Sequence, residues 1–208
     1  MNPLSPNRFV REFVRRRFRW FLGLALILGG GISAGFAREV RITVLHTTDL
    51  HGRLETVPTT GGGLMALGAR IEQIREQEPH VLLVDCGDTI QGTPVAYQTR
   101  GRVMIDALSI LRYDAWTPGN HEFDWGIDAL RPLVRDAPFA VLGANIRARY
   151  GSAHPLPEIR PYIIRTLDGV RVALVGLTIP VIPLWTLPDY LGETHFERSL
   201  PALERILP

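Results

Sequence analysis

The chain has 208 residues, 46% hydrophobic and 21% charged, which excludes a disordered chain and fits one domain behind a short leader. A single cysteine, Cys86, excludes an intrachain disulfide and a cysteine-rich metal site. All 23 basic residues are Arg; six of them and one of the 21 acids lie in the first 37 residues, so residues 38–208 carry 17 Arg against 20 acids and offer no basic stripe to a nucleic-acid duplex.

Residues 8–19 are Arg-rich, residues 20–28 (WFLGLALIL) are apolar, and small residues lead to Ala37. This order is that of a secretory signal peptide, and it predicts cleavage after Ala37 and a periplasmic or secreted product. The apolar core is shorter than the roughly 20 residues a membrane-spanning helix needs. An uncleaved leader acting as an N-terminal membrane anchor is the alternative, and no other membrane partner is expected. Arg-Arg-Arg-Phe at 15–18 also resembles part of a twin-arginine export signal.

The first predicted element is a strand over 41–46 (RITVLH), β-branched and apolar. A helix over 62–77 follows, with Leu64, Leu67, Ile71 and Ile74 on one face and Pro79 just beyond its end. Residues 81–85 (VLLVD) are continuously apolar up to their final Asp, as in a strand buried on both faces. A helix near 102–112, a strand at 114–117, a helix near 126–136 and a strand at 139–143 come next. Asp168-Gly169 separates YIIRTL from VRVALV, a hairpin signal. A last helix starts near 198. Strands alternating with helices predict an α/β fold with a mixed, largely parallel sheet and an added hairpin.

The polar groups of chemical interest fall where strands end, the place where open α/β sheets build their sites. Asp49 and His51 follow the first strand, Asp88 the second, and Asn120 and His121 the third. In an extended segment Asp49 and His51 would point to one side, offering mixed oxygen and nitrogen donors to a zinc-, manganese- or iron-type ion. Asp88 has two oxygens and can bridge two ions; Gly87 lets the backbone turn before it. Asn120 supplies an amide oxygen. Each residue also has a local reading, as a turn former, a helix cap or a hydrogen-bonded core histidine. Asp85 reads as structural and Cys86 as a small buried side chain. His46, His80, His154 and His195 are set aside as ligands.

Asp-Leu-His-Gly at 49–52, Gly-Asp-Thr at 87–89 and Gly-Asn-His-Glu at 119–122 resemble, in order, the first three motifs of the calcineurin-like metallophosphoesterases. The blocks GGGLMALGARI, QGTP, GNHEFDWG, VLGANI, PYII and GVRVALVGLT are similar to the 5′-nucleotidase branch, and Pro-Leu-Trp at 183–185 to its 2′,3′-cyclic-nucleotide phosphodiesterase relatives. The likeness runs from residue 41 to about 205. It implies that fold, a layered sandwich with helices flanking the sheet, and a hydrolase of nucleotides or other phosphate esters that uses two divalent ions, zinc, manganese or similar. By position it implies Asp49, His51 and Asp88 as ligands of one ion, and Asp88 and Asn120 as ligands of the other. His121 resembles the family histidine that steadies charge on the phosphoryl oxygens, and Asp124 its orienting partner.

The resemblance also implies a later histidine, a Gly-His-x-His block and a C-terminal substrate domain. Nothing like them follows residue 195. A C-terminally incomplete domain over 38–208 is therefore expected, with a missing half as partner. Two other readings stay open: a thiosulfohydrolase of sulfur oxidation, which looks similar over these motifs, and a catalytically inactive module.

Overall fold

Leu82 and Leu83 are buried, each 1% exposed, as expected of an apolar run with no polar face to offer water. They belong to β2 (Val81–Asp85), in a computed structural model that describes residues 38–56, 62–149 and 151–207. The expected leader over 1–37 lies outside the described residues. Glu39–Pro208 forms one unit by its internal contacts.

Four strands make one parallel sheet in the order β1 (Thr43–Thr47), β2, β3 (Ala115–Trp116) and β4 (Ala140–Val141). The register puts Thr47 beside Asp85 and Asp85 beside Trp116, so three strands end level with one another. The crossovers carry α1 (Leu64–Gln77), then α2 (Pro94–Gln98) and α3 (Arg102–Ile110), then α4 (Ile127–Asp136). Helix α4 buries Ile127, Leu130, Leu133 and Val134, the spacing of a single helical face. Trp116, Phe123, Met104 and Leu108 are fully buried in the same core. Each such side chain contributes roughly 1.5–3 kcal/mol through its removal from water.

The antiparallel strands pair among themselves, and the hairpin packs on the parallel sheet through Ile163 beside Ala115 and Leu142. Strands β6 (Tyr162–Leu167) and β7 (Val170–Val175) pair along their whole length around Asp168 and Gly169, whose φ values are 49° and 83°. A two-residue turn with both φ positive matches the right-handed twist of the strands, so the Asp-Gly signal gives the expected hairpin. Strands β5 (Ile146–Ala148) and β8 (Thr194–Phe196) form a second antiparallel pair, followed by α6 (Ser199–Ile206). Between β7 and β8 lies α5 (Pro188–Leu191).

Several expected details change. Helix α1 buries Leu64, Gly68 and Ile71, whereas Leu67 is 38% exposed. The stripe turns toward Gly68 because Leu111 packs where a side chain there would stand. Strands β3 and β4 are shorter than expected, yet Thr117 N donates to Asp85 O (2.9 Å) and Leu142 N to Trp116 O (2.8 Å), which extends the bonding past the strand ends. Cys86 is exposed, not buried: β2 ends at the buried Asp85, and the next side chain turns outward.

Candidate metal centre

Three loops leave the carboxyl ends of β1, β2 and β3. The first two stay hydrogen-bonded beyond the strands: Asp49 N donates to Gly87 O (2.9 Å), His51 N to Asp88 O (2.9 Å) and Gly52 N to Thr89 O (2.8 Å). The second and third are in backbone contact. A Cβ on Gly87 would run into the backbone of Gly119, and one on Gly119 into the Asp88 carboxylate. Only glycine allows that approach.

Asp49 (φ 55°), His51 (φ 47°) and Asp88 (φ 56°) all take the left-handed backbone region. The expected extended Asp-x-His segment is therefore not formed. Two left-handed residues flank the buried Leu50 instead, and the loop's bends, not strand alternation, aim the side chains. Such conformations cost about 1–3 kcal/mol each and persist only where surrounding structure imposes them.

The result is a cluster: His51, Asp88 and His121, all half-buried, each offer a ligand atom within 4.8 Å of the others. The two imidazoles meet edge to face, with centroids 5.1 Å apart. Gln91 Nε2 lies 3.3 Å from His51 Nδ1. Asp49 stands beside the cluster, with Oδ1 3.9 Å from His51 Nε2 and its side chain 60% exposed; Thr48 Oγ1 donates to its other oxygen at 2.6 Å. Asn120 is half-buried at the head of a 3₁₀ turn, His121–Phe123. The next residue in that turn, His121, donates its backbone N–H to Asp88 Oδ1 (2.9 Å).

His121 Nδ1 and Asp124 Oδ2 are 2.7 Å apart. Burial alone would lower the His121 pKa. The hydrogen bond to Asp124 and the charges of Asp124, Asp88 and Glu122 outweigh it and leave the ring easier to protonate than an ordinary histidine. Among the remaining histidines, His80 lies near Asp168 (3.8 Å), His154 near the Ile146 carbonyl (3.1 Å), and His195 on β8 opposite Arg147; His46 is an exposed residue of β1.

Sequence reasoning missed Glu122. Its carboxylate is 1% exposed and accepts four backbone N–H groups: Asp88 (2.8 Å) and Gly119 (2.6 Å) at Oε2, Thr89 (2.7 Å) and Ile90 (3.1 Å) at Oε1. Asp85, read as structural, is its counterpart. It accepts from Gly87 N (3.1 Å), Thr47 Oγ1 (2.6 Å) and Thr89 Oγ1. Every amide from Gly87 to Ile90 thus ends on one of two buried carboxylates. Burial pushes Asp85 up to about 6 and Glu122 up to about 7, against hydrogen bonds that pull both down. The one signal for Glu122 was its place in the Gly-Asn-His-Glu block. Its burial follows from three loops closing over it, which no local pattern records.

The sequence model of the calcineurin-like phosphoesterase family matches residues 42–173, a span that contains all three loops. The chain belongs to that family. It is 36% identical over 193 residues to the 5′-nucleotidase of Bos taurus, an alignment covering 87% of this chain and 33% of the relative. Its fold matches a 5′-nucleotidase precursor from Thermus thermophilus with a TM-score of 0.69 and 30% identity, covering 79% of this chain and 33% of the other. A sulfate thiohydrolase matches with the same TM-score but 16% identity, covering 82% of this chain and 42% of the other, a likeness of fold alone. The chain spans about a third of the length of the curated relatives it matches. The phosphoesterase family works with divalent metals, and the His51, Asp88 and His121 group is the place in this member where one can be held.

Proposed function

We propose that this chain carries the metal-binding part of an exported phosphoesterase that hydrolyses nucleoside phosphates. The observation that supports this best is the convergence of His51, Asp88 and His121 within 4.8 Å, inside a span 36% identical to a 5′-nucleotidase. Mixed imidazole and carboxylate donors, half-buried, suit zinc, manganese or a similar ion. In this reading Asp49, His51, Asp88 and Asn120 hold two ions, with Asp88 shared. What such ions supply is positive charge at the phosphoryl oxygens and a more acidic water for in-line attack.

The chain's own residues then have separable roles. Asp124 occupies His121 Nδ1, which fixes the tautomer and leaves Nε2 for the substrate. A ring biased toward its protonated form places positive charge where negative charge develops on the phosphoryl group or leaving oxygen. Glu122 and Asp85 touch no substrate; they hold the loop that carries Asp88. The sulfur-oxidation reading is weaker because the 16% identity of that neighbour speaks only for the fold. Export rests on the order of residues 1–37 in the sequence; the mature N-terminus is then Arg38, as N-terminal sequencing would establish.

The test is hydrolysis of AMP by the exported protein with manganese, compared with His121→Asn. Turnover should fall about 10²–10⁴-fold while bound metal stays near normal. Equal loss of metal and turnover would make His121 a ligand, and absence of any phosphate-ester hydrolysis would remove the proposed activity.

A further inference from the structure

The His51 imidazole has two nitrogens, and the fold treats them differently. Nε2 lies 3.9 Å from Asp49 Oδ1, beside a residue read above as a ligand. Nδ1 is the nitrogen met by Gln91, whose side-chain Nε2 is 3.3 Å away. Among the described residues the Gln91 side chain has no other hydrogen-bond partner, so neither a turn nor a helix cap accounts for it.

The backbone delivers Gln91 to this place. Ile90, just before it, donates its N–H to the buried Glu122 (3.1 Å). Gly92, just after it, has a φ of 125°, and a Cβ there would lie 2.5 Å from the His51 carbonyl oxygen and 2.8 Å from the His51 Cβ. Thr93 Oγ1 then donates to Gly52 O (2.8 Å). Residues 90–93 are thus held against the His51 turn. The residue between the two anchors carries an amide, which both donates and accepts.

The tautomer of His51 decides what the ring can do. A neutral imidazole keeps one proton, and it can give a lone pair to a cation at Nε2 only when that proton sits on Nδ1. A proton on Nδ1 needs an acceptor beside it, which also fixes the ring direction and makes Nε2 a better donor to the ion. With its nitrogen toward Nδ1, the Gln91 amide suits a ring protonated at Nε2. Half a turn of the amide brings its oxygen there and suits a ring protonated at Nδ1.

We propose that Gln91 is a positioning residue for the metal-binding group: its amide oxygen accepts the Nδ1 proton of His51 and so presents Nε2 to the cation. This rests on the reading of His51 as a ligand given above. Gln91 itself touches neither cation nor substrate.

The test uses the full chain and zinc, with the parent, Gln91→Met and Gln91→Glu. Calorimetry reads zinc affinity, and nitrogen-15 spectra of the imidazoles read which nitrogen carries the proton. In the zinc-loaded parent the His51 proton should sit on Nδ1. Gln91→Met keeps the length and removes the acceptor, so zinc should bind about 10- to 100-fold more weakly, the usual loss for a partner of this kind. Gln91→Glu keeps an acceptor and gives up the donor, so it should bind zinc at least as tightly as the parent. The tautomer of the parent needs no variant, so the test holds even where a substitution disturbs the loop. If Gln91→Met binds zinc as the parent does, if both variants lose affinity alike, or if loaded His51 keeps its proton on Nε2, Gln91 positions nothing and the metal reading stands. A parent that binds no zinc removes both.

Discussion

The loops around Asp88 and the hairpin of β6 and β7 are built on opposite principles. The hairpin is formed by its own ladder and an Asp-Gly turn, packs on the sheet through Ile163, and leaves Tyr162, Ile164 and Val170 about 40% exposed. Around Asp88, three non-glycine residues sit in the left-handed region and two carboxylates are buried. Among the described residues, no arginine is a hydrogen-bond partner of those carboxylates; backbone amides and hydroxyls take that place. The contrast shows that hairpin geometry is local, whereas the metal-binding geometry depends on distant residues and stores strain and buried charge. A divalent cation is the natural counterweight to that charge.

The sharpest way to break this contrast is Glu122→Gln. The amide keeps the shape but turns an NH₂ group toward two backbone donors, so the 88–90 loop loses acceptors it cannot replace from water. Unfolding free energy should drop by about 3–5 kcal/mol, as when one partner of a buried charged network is removed. Metal binding should weaken with it. Urea denaturation and metal titration measure the two effects; an unchanged midpoint would show that Glu122 positions nothing.

A smaller effect concerns pH. Asp85 and Glu122 have folded pKa values of about 6 and about 7, above their ordinary values of 3.8 and 4.5. The folded state therefore binds protons that the unfolded state has released. Stability from these groups is greatest below about pH 4 and falls as pH rises toward 7. His121, also raised, adds a loss in the same direction as pH passes its folded value. The metal-free chain should have a lower urea midpoint at pH 7.5 than at pH 5, by an amount on the order of 1–3 kcal/mol per carboxyl. Asp85→Asn should flatten the curve, and manganese should offset the loss at neutral pH. A metal-free chain that gains stability from pH 5 to 7.5 would contradict the picture of uncompensated buried charge.

The smallest effect belongs to the hairpin. Gly169 has a φ of 83° with open space around it, so Gly169→Ala meets no clash and only the backbone penalty, about 1 kcal/mol. Metal affinity should not move. A Gly169→Ala chain that loses metal would show that the two regions are coupled after all.

This division also explains what the sequence could reveal. The hairpin, the buried strand β2 and helix α4 were legible because a turn dipeptide, an unbroken apolar run and a helical stripe are local causes. Three motif blocks at strand ends single out Asp49, His51, Asp88, Asn120, His121 and Asp124, and of these the structure gathers His51, Asp88 and His121 into one group and pairs His121 with Asp124. How Asp49 and His51 are aimed was not legible, since the left-handed turns are imposed by bonds to residues 87–89, nearly forty positions away. Helix α2 went unseen because five residues show no period, and β5 with β8 because three-residue strands pair across almost fifty residues. Glu122 was not singled out in the sequence, because its burial arises only when three loops close over it.

The central claim is that the cluster of His51, Asp88 and His121 marks a divalent-cation site in which His51 and Asp88 are ligands and His121 faces the substrate. The direct measurement is equilibrium metal content and affinity, by plasma mass spectrometry and calorimetry, for the full chain and for His51→Ala and Asp88→Asn. The account predicts specific binding of manganese or zinc by the parent, with affinity falling at least about tenfold in each variant. Binding that is absent in the parent, or equally strong in both variants, would contradict it.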